Sequence, residues 1–101
     1  MESLSLPPLV GSRSRAKALA DTLPDNLADV EVTVDGRSLV AATVSFVDEL
    51  IKQILVAHRG SKLRVVNISD PEFVEWIGQQ AEANGVAERV AVEARSTITA
   101  S

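Results

Sequence analysis

The hydrophobic period of this chain changes inside one continuous stretch, Val30 to Leu55, and that change limits what it can fold into. Val30, Val32 and Val34 alternate with Glu31 and Thr33, the period-two pattern of a strand with one apolar and one polar face. Asp35-Gly36 then supplies turn chemistry, because glycine accepts a positive φ. Leu39 to Ala42 form a short apolar run that is expected to be buried. From Ser45 the period becomes helical. Phe46, Leu50 and Ile54 fall on one stripe, and Val47, Ile51 and Leu55 on the adjoining one. A face that wide suits a helix lying on a sheet. A strand, a tight corner and an amphipathic helix therefore follow one another, and the rest of the chain must pack around them.

The flanking segments fit that plan. Residues 1–10 are apolar but interrupted by Pro7 and Pro8, so they read as an N-terminal arm or a short strand at Leu9-Val10. Ser12 or Ser14 offers an N-cap, Ala16, Leu19, Ala20 and Leu23 recur at helical spacing, and Pro24 stops the pattern. A helix from Ser12 to Leu23 is predicted. Gly60 is placed to end the second helix, with His58 and Arg59 complementing its dipole. Leu63, Val65, Val66 and Ile68 are nearly continuous, which predicts a central parallel strand covered on both faces. Asp70-Pro71 starts a third helix whose buried side is Phe73, Val74, Ile77 and Ala81, and Asn84-Gly85 ends it. Val90 and Val92 alternate in a last strand, and residues 95–101 form a small polar tail expected to fray. The order of elements predicts a single α/β domain with its core over about residues 11–94: a small sheet of about four strands, mixed or mostly parallel, with helices packed on it.

Composition narrows the chemistry. With no cysteine, disulfides, thiolate catalysis and thiolate metal sites are excluded. The net charge is −4, and the small group Arg13, Arg15 and Lys17 falls short of a nucleic-acid footprint. No apolar stretch is long enough to span a bilayer, and the N-terminal MESLSLPPLVG lacks the basic start and apolar length of a signal peptide. A cytoplasmic protein that contacts neither membrane nor nucleic acid is expected.

Enzyme signatures are missing. There is no Gly-rich phosphate loop and no Gly-x-Ser-x-Gly elbow. The one histidine, His58, is read as a dipole partner or a solvated side chain, and no metal set or cofactor motif accompanies it. Asp48 and Glu49 are adjacent, so they do not face each other as an acid–base pair; capping near the helix start is the simpler role. Thr43 and Ser45 remain as hydroxyls at the corner. Either caps the helix, with Ser45 accepting from the backbone near Asp48, or is a surface hydroxyl at a helix terminus that tolerates phosphate.

Three blocks bring a family into view. GSRSRAKALADTL resembles an entry helix, VEVTVDGRSLVAATVSFVDELI a strand, Gly turn and helix, and LRVVNISDPEFVEWIGQQAEANGVAERVAV the strand, helix and strand that follow. Together, over Gly11 to about Val92, they resemble the STAS-like domains, relatives of the sulfate-transporter and anti-sigma-factor-antagonist family. The most specific block is Ser-Phe-x-Asp-Glu-Leu, here Ser45, Phe46, Asp48, Glu49 and Leu50. Where antagonists carry Asp-Ser-Ser-Gly, this chain has Ala41-Ala42-Thr43-Val44-Ser45. Aligned on that corner, Thr43 is the phosphorylation candidate; aligned on the longer motif, Ser45 is.

The resemblance implies a non-enzymatic regulatory module of bacterial signalling, without cofactor. Its partner would be an anti-sigma factor that is also a histidine-kinase-like ATPase, with the output in transcription. Phosphorylation of the corner hydroxyl would place charge in a packed interface and break the complex. Partner contacts are expected at Thr43, Ser45, Asp48 and Glu49. Two other functions fit the residues: an assembly or adaptor module without a phosphorylation switch, pairing as a homodimer through an exposed Val30–Val34 strand edge, and a small-molecule or nucleotide sensor at the strand ends.

Overall fold

A computed structural model describes residues 2–94. The expected α/β domain is present. A four-stranded sheet runs in the order β1 (Glu2–Ser5), β3 (Glu31–Asp35), β5 (Lys62–Ile68), β6 (Val90–Ala94), and every neighbouring pair is parallel. A second, miniature parallel pair joins β2 (Leu9–Val10) to β4 (Ala41–Ala42). Three helices connect the strands of the main sheet: α1 (Arg13–Ala20), α2 (Val44–Ile51, continued by a π-helical stretch at Lys52–Ala57) and α3 (Pro71–Ala83). Residues 95–101, expected to fray, lie outside the described residues. No helix among the described residues is long and apolar enough to cross a membrane.

The strand order decides where the core lies. Each crossover steps one strand in the same direction, so right-handed connections put all the helices on one face. That face is built by the buried Leu4, Val32, Val34, Leu63 and Val65, against Phe46, Leu50 and Ile51 of α2 and Phe73 and Ile77 of α3. The opposite face carries the row Ser3, Thr33, Arg64 and Ala91, with Arg64 between Glu31 (3.4 Å) and Glu93 (3.3 Å). The expectation that Leu63–Ile68 is covered on both faces is therefore corrected: Arg64 and Val66 are only half-buried, because no helix returns on their side. The expected Val30–Val34 edge is corrected too. β3 is bonded to β1 on one side and β5 on the other, so it offers no edge for pairing. The N-terminal residues take the edge position, forming a strand where an arm was the alternative.

Local rules set the helix ends. Ser12 caps α1, its Oγ accepting from the Arg15 amide. The helix stops at Ala20, short of the predicted Leu23, because the chain tightens before Pro24: Thr22 N bonds to Leu19 O and Leu23 N to Ala20 O. Asp70 caps α3 with Pro71 in the first helical position. Gly85 (φ 71°) closes α3, as Gly85 N bonds to Glu82 O and Val86 N to Ala81 O, satisfying the last carbonyls. At the end of α2 the left-handed residue is Arg59 (φ 63°), not Gly60. Gly60 is required for another reason: a Cβ there would sit 2.9 Å from the Ile54 carbonyl oxygen.

Candidate functional site

The corner between β4 and α2 is built on the Thr43 hydroxyl. Thr43 has extended backbone (φ −123°, ψ 160°), so its Oγ1 reaches forward to accept from Phe46 N at 3.2 Å. The same hydroxyl donates to the Gly11 carbonyl, also at 3.2 Å, tying the start of α2 to the start of α1. This corrects the expectation that Ser45 supplies the cap. Ser45 lies one residue past the first helical position, half-buried, and takes no part in the capping bonds. A cap of this kind is worth about 1 kcal/mol.

Around Thr43 the surface is apolar. Pro8 lends its carbonyl to the amides of both Val40 (2.8 Å) and Ala41 (3.0 Å), and Leu9 lies in register with Ala41. The preceding turn is fixed by Gly36 N on Val66 O and Leu39 N on Gly36 O, and it carries Val40 outward instead of into the core. The expected burial of the run Leu39 to Ala42 is thus corrected: Val40 is 72% exposed, Ala41 is exposed, and only Leu39 and Ala42 are half-buried. Leu9 is 68% exposed and Val44 39%, so three of the four large exposed hydrophobics among the described residues gather at this corner. An open hollow of about 230 Å³ lies at the same corner, lined by Leu9, Val10, Gly11, Ala41, Ala42 and Thr43.

One turn further along α2, Asp48 and Glu49 look inward. Asp48 Oδ2 pairs with Arg13 of α1 (2.6 Å) and Lys52 (3.2 Å), while Oδ1 accepts from Asn84 at the end of α3 (2.8 Å). Glu49 accepts from Gln53 (2.7 Å) and lies 3.3 Å from Arg13. Burial opposes ionisation of Asp48, but the hydrogen bonds from Asn84, Arg13 and Lys52 outweigh it and hold its pKa at about 2. Capping, the role expected for this pair, is corrected: Asp48 lies in the second turn, where no backbone amide is left for it, and it joins three helices instead.

Catalytic geometry is lacking at the corner. The Thr43 hydroxyl touches a backbone amide and a backbone carbonyl, so no side-chain base activates it. His58 is buried, which corrects its expected solvated role. Its Nδ1 donates to the Pro24 carbonyl at 2.8 Å, and its Nε2 lies 3.7 Å from Asp21. No group of metal-ligating side chains occurs among the described residues. Of the residues singled out from sequence, Thr43 and Ser45 lie at the corner itself, and Asp48 and Glu49 in the network behind it. Leu9, Val40 and Val44 were not singled out. The signal for Val40 and Leu9 was the apolar run Leu39 to Ala42 and the Pro7-Pro8-Leu9 segment, both lacking a period that would bury them. No family model, curated protein or solved structure matches the chain.

Proposed function

We propose that this chain is a cytoplasmic, non-enzymatic regulatory module that binds a protein partner through the Thr43 corner, as the anti-sigma-factor antagonists it resembles do. The observation that carries this is the gathering of Leu9, Val40 and Val44 in the open around one capped helix start. Exposed aliphatics scattered singly need no explanation, whereas a contiguous group marks an interaction surface. The partner is a kinase-like ATPase, and Thr43 is the better-placed acceptor of the two hydroxyls. Its side chain is exposed, and a phosphate on it would turn the donor to Gly11 O into an anionic acceptor facing that carbonyl. It would also add about −1.5 to −2 charges beside three aliphatic side chains. Phosphorylation of Ser45 would leave the cap intact.

The test is capture from a lysate of the native organism with wild type, Val40→Asp, and the double Thr43→Asp, Ser45→Asp variant, each checked for folding by circular dichroism. A kinase-like ATPase retained by wild type and lost from both variants is the expected result. Equal capture by all three would move the interface elsewhere and leave Thr43 as a helix cap only.

A further inference from the structure

The Asn84-Gly85 pair that stops α3 is fixed at both of its residues. Gly85 suits its place because the closure of α3 needs a left-handed φ, here 71°. Asn84 is fixed by its side chain. Its Nδ2 donates to Asp48 Oδ1 and to the Gln80 carbonyl, both at 2.8 Å, which uses both donors of the amide. The fold thus sets an asparagine directly before the residue type that leaves the next backbone nitrogen least shielded. Of the three asparagines in the chain only this one precedes glycine; Asn26 precedes Leu27 and Asn67 precedes Ile68, whose side chains crowd the following amide. Asparagine is thermolabile because that nitrogen can attack its side-chain carbonyl carbon. Gly85 is exposed, with open space where a Cβ would stand, and its nitrogen is engaged only by the Glu82 carbonyl at 3.0 Å.

We infer that Asn84 is a site of spontaneous deamidation that the fold holds closed through Asp48, and that its conversion unlinks α3 from α2. In the reaction the Gly85 nitrogen bonds to Asn84 Cγ while the Cγ–Nδ2 bond breaks, and Nδ2 leaves as ammonia with the Gly85 amide proton. Water then opens the cyclic imide. Cleavage between the nitrogen and Cγ gives aspartate; cleavage between the nitrogen and the Asn84 backbone carbonyl carbon gives isoaspartate. The native hydrogen bonds oppose the first step at both reacting groups. Asp48 and the Gln80 carbonyl draw the side-chain amide back over the last turn of α3, and the Gly85 nitrogen must give up Glu82 to attack. The product reverses the contact. A carboxylate takes the place of the donor beside Asp48, which is ionised at neutral pH with a pKa of about 2, so attraction between the end of α3 and α2 becomes like-charge repulsion.

The experiment is incubation of wild type in mildly alkaline buffer, folded and in guanidinium chloride, beside folded Asp48→Ala and Asp48→Asn. Conversion of Asn84 is followed by peptide mapping with mass spectrometry, and circular dichroism checks the fold of each variant. Asp48→Asn keeps an acceptor oxygen for Asn84, and Asp48→Ala has none. Asn84 is expected to convert at least about tenfold faster in denaturant than in the folded chain, because only opened molecules react. Conversion should be faster in Asp48→Ala than in wild type, with most of the protection restored in Asp48→Asn. Equal rates in buffer and denaturant, no conversion in denaturant, or the wild-type rate in folded Asp48→Ala would each overturn the inference. The product is mimicked by Asn84→Asp, which tests the contact even where Asp48→Ala does not fold. Its denaturation midpoint should fall below that of wild type at neutral pH, and the drop should shrink in the Asp48→Asn background, where the donor is restored. An equal drop in both backgrounds would show that the two side chains are not partners in solution and would overturn the role of Asp48.

Discussion

The two ends of the long second helix are finished in opposite ways. At its C-terminal end the polar groups are tied down, while the Val56 side chain stands exposed. Arg89 donates to the carbonyls of Leu55 (2.9 Å) and Gly60, satisfying one acceptor of the π-helical stretch and one of the loop after it. His58 is buried against Pro24, its own carbonyl accepts from Leu27 N at 2.7 Å, and Gly60 packs on Ile54 with no space for a Cβ. At the N-terminal end the cap is made by one hydroxyl, and Leu9, Val40 and Val44 stand in the open around it. The same helix is thus anchored where it feeds the central strand and left apolar and accessible where the corner faces outward. Anchoring and exposed apolar surface are divided between its ends, and that division can be tested from either side.

The largest effect belongs to the anchored end. Arg89→Ala removes a charged donor and leaves two carbonyls to find new partners, so a loss of about 2–3 kcal/mol is expected, read as a drop in the urea midpoint. A change below about 0.5 kcal/mol would show that this end is not the anchor.

Between the ends lies Asp48, whose effect is intermediate and depends on pH. Its pKa is lower in the folded chain, about 2 against 3.8 ordinarily, so it stabilises fully above about pH 4 and the contribution disappears as pH falls through 2. Wild type should therefore lose on the order of 1–2 kcal/mol more than Asp48→Asn between pH 4 and 2, allowing for solvent screening. Parallel pH profiles would mean that Arg13, Lys52 and Asn84 do not hold the carboxylate in solution.

Legibility in the sequence follows the same division. The strands at Val32 and Val34 and at Leu63 and Val65, the apolar face of α2, the Asp70-Pro71 start and the Asn84-Gly85 stop were all readable, because each rests on local periodicity or capping chemistry. Thr43 was identified as a corner hydroxyl, but the choice of capping residue was not fixed, since Val44 entering the helix one residue early is a matter of backbone geometry. The covering of the sheet on one face was hidden because it depends on the order β1-β3-β5-β6, and no strand records its neighbours. Likewise Arg13, Asp48 and Asn84 meet only through tertiary packing, with Arg13 and Asn84 each more than thirty residues from Asp48 in the chain. The exposure of Val40 misled for a related reason: an apolar run after a turn looks buried until the turn's hydrogen bonds show which way it leaves.

The smallest expected effect on stability is also the most direct test of the division between the ends. It is urea unfolding of the double Leu9→Asp, Val40→Asp variant beside wild type. If the corner's apolar surface is kept for a partner and not for the fold, the two unfolding free energies agree within about 0.5 kcal/mol, as for surface substitutions that remove no packing. A loss of 2 kcal/mol or more would mean that Leu9 and Val40 are buried in solution, and the corner would then be part of the core and no docking surface.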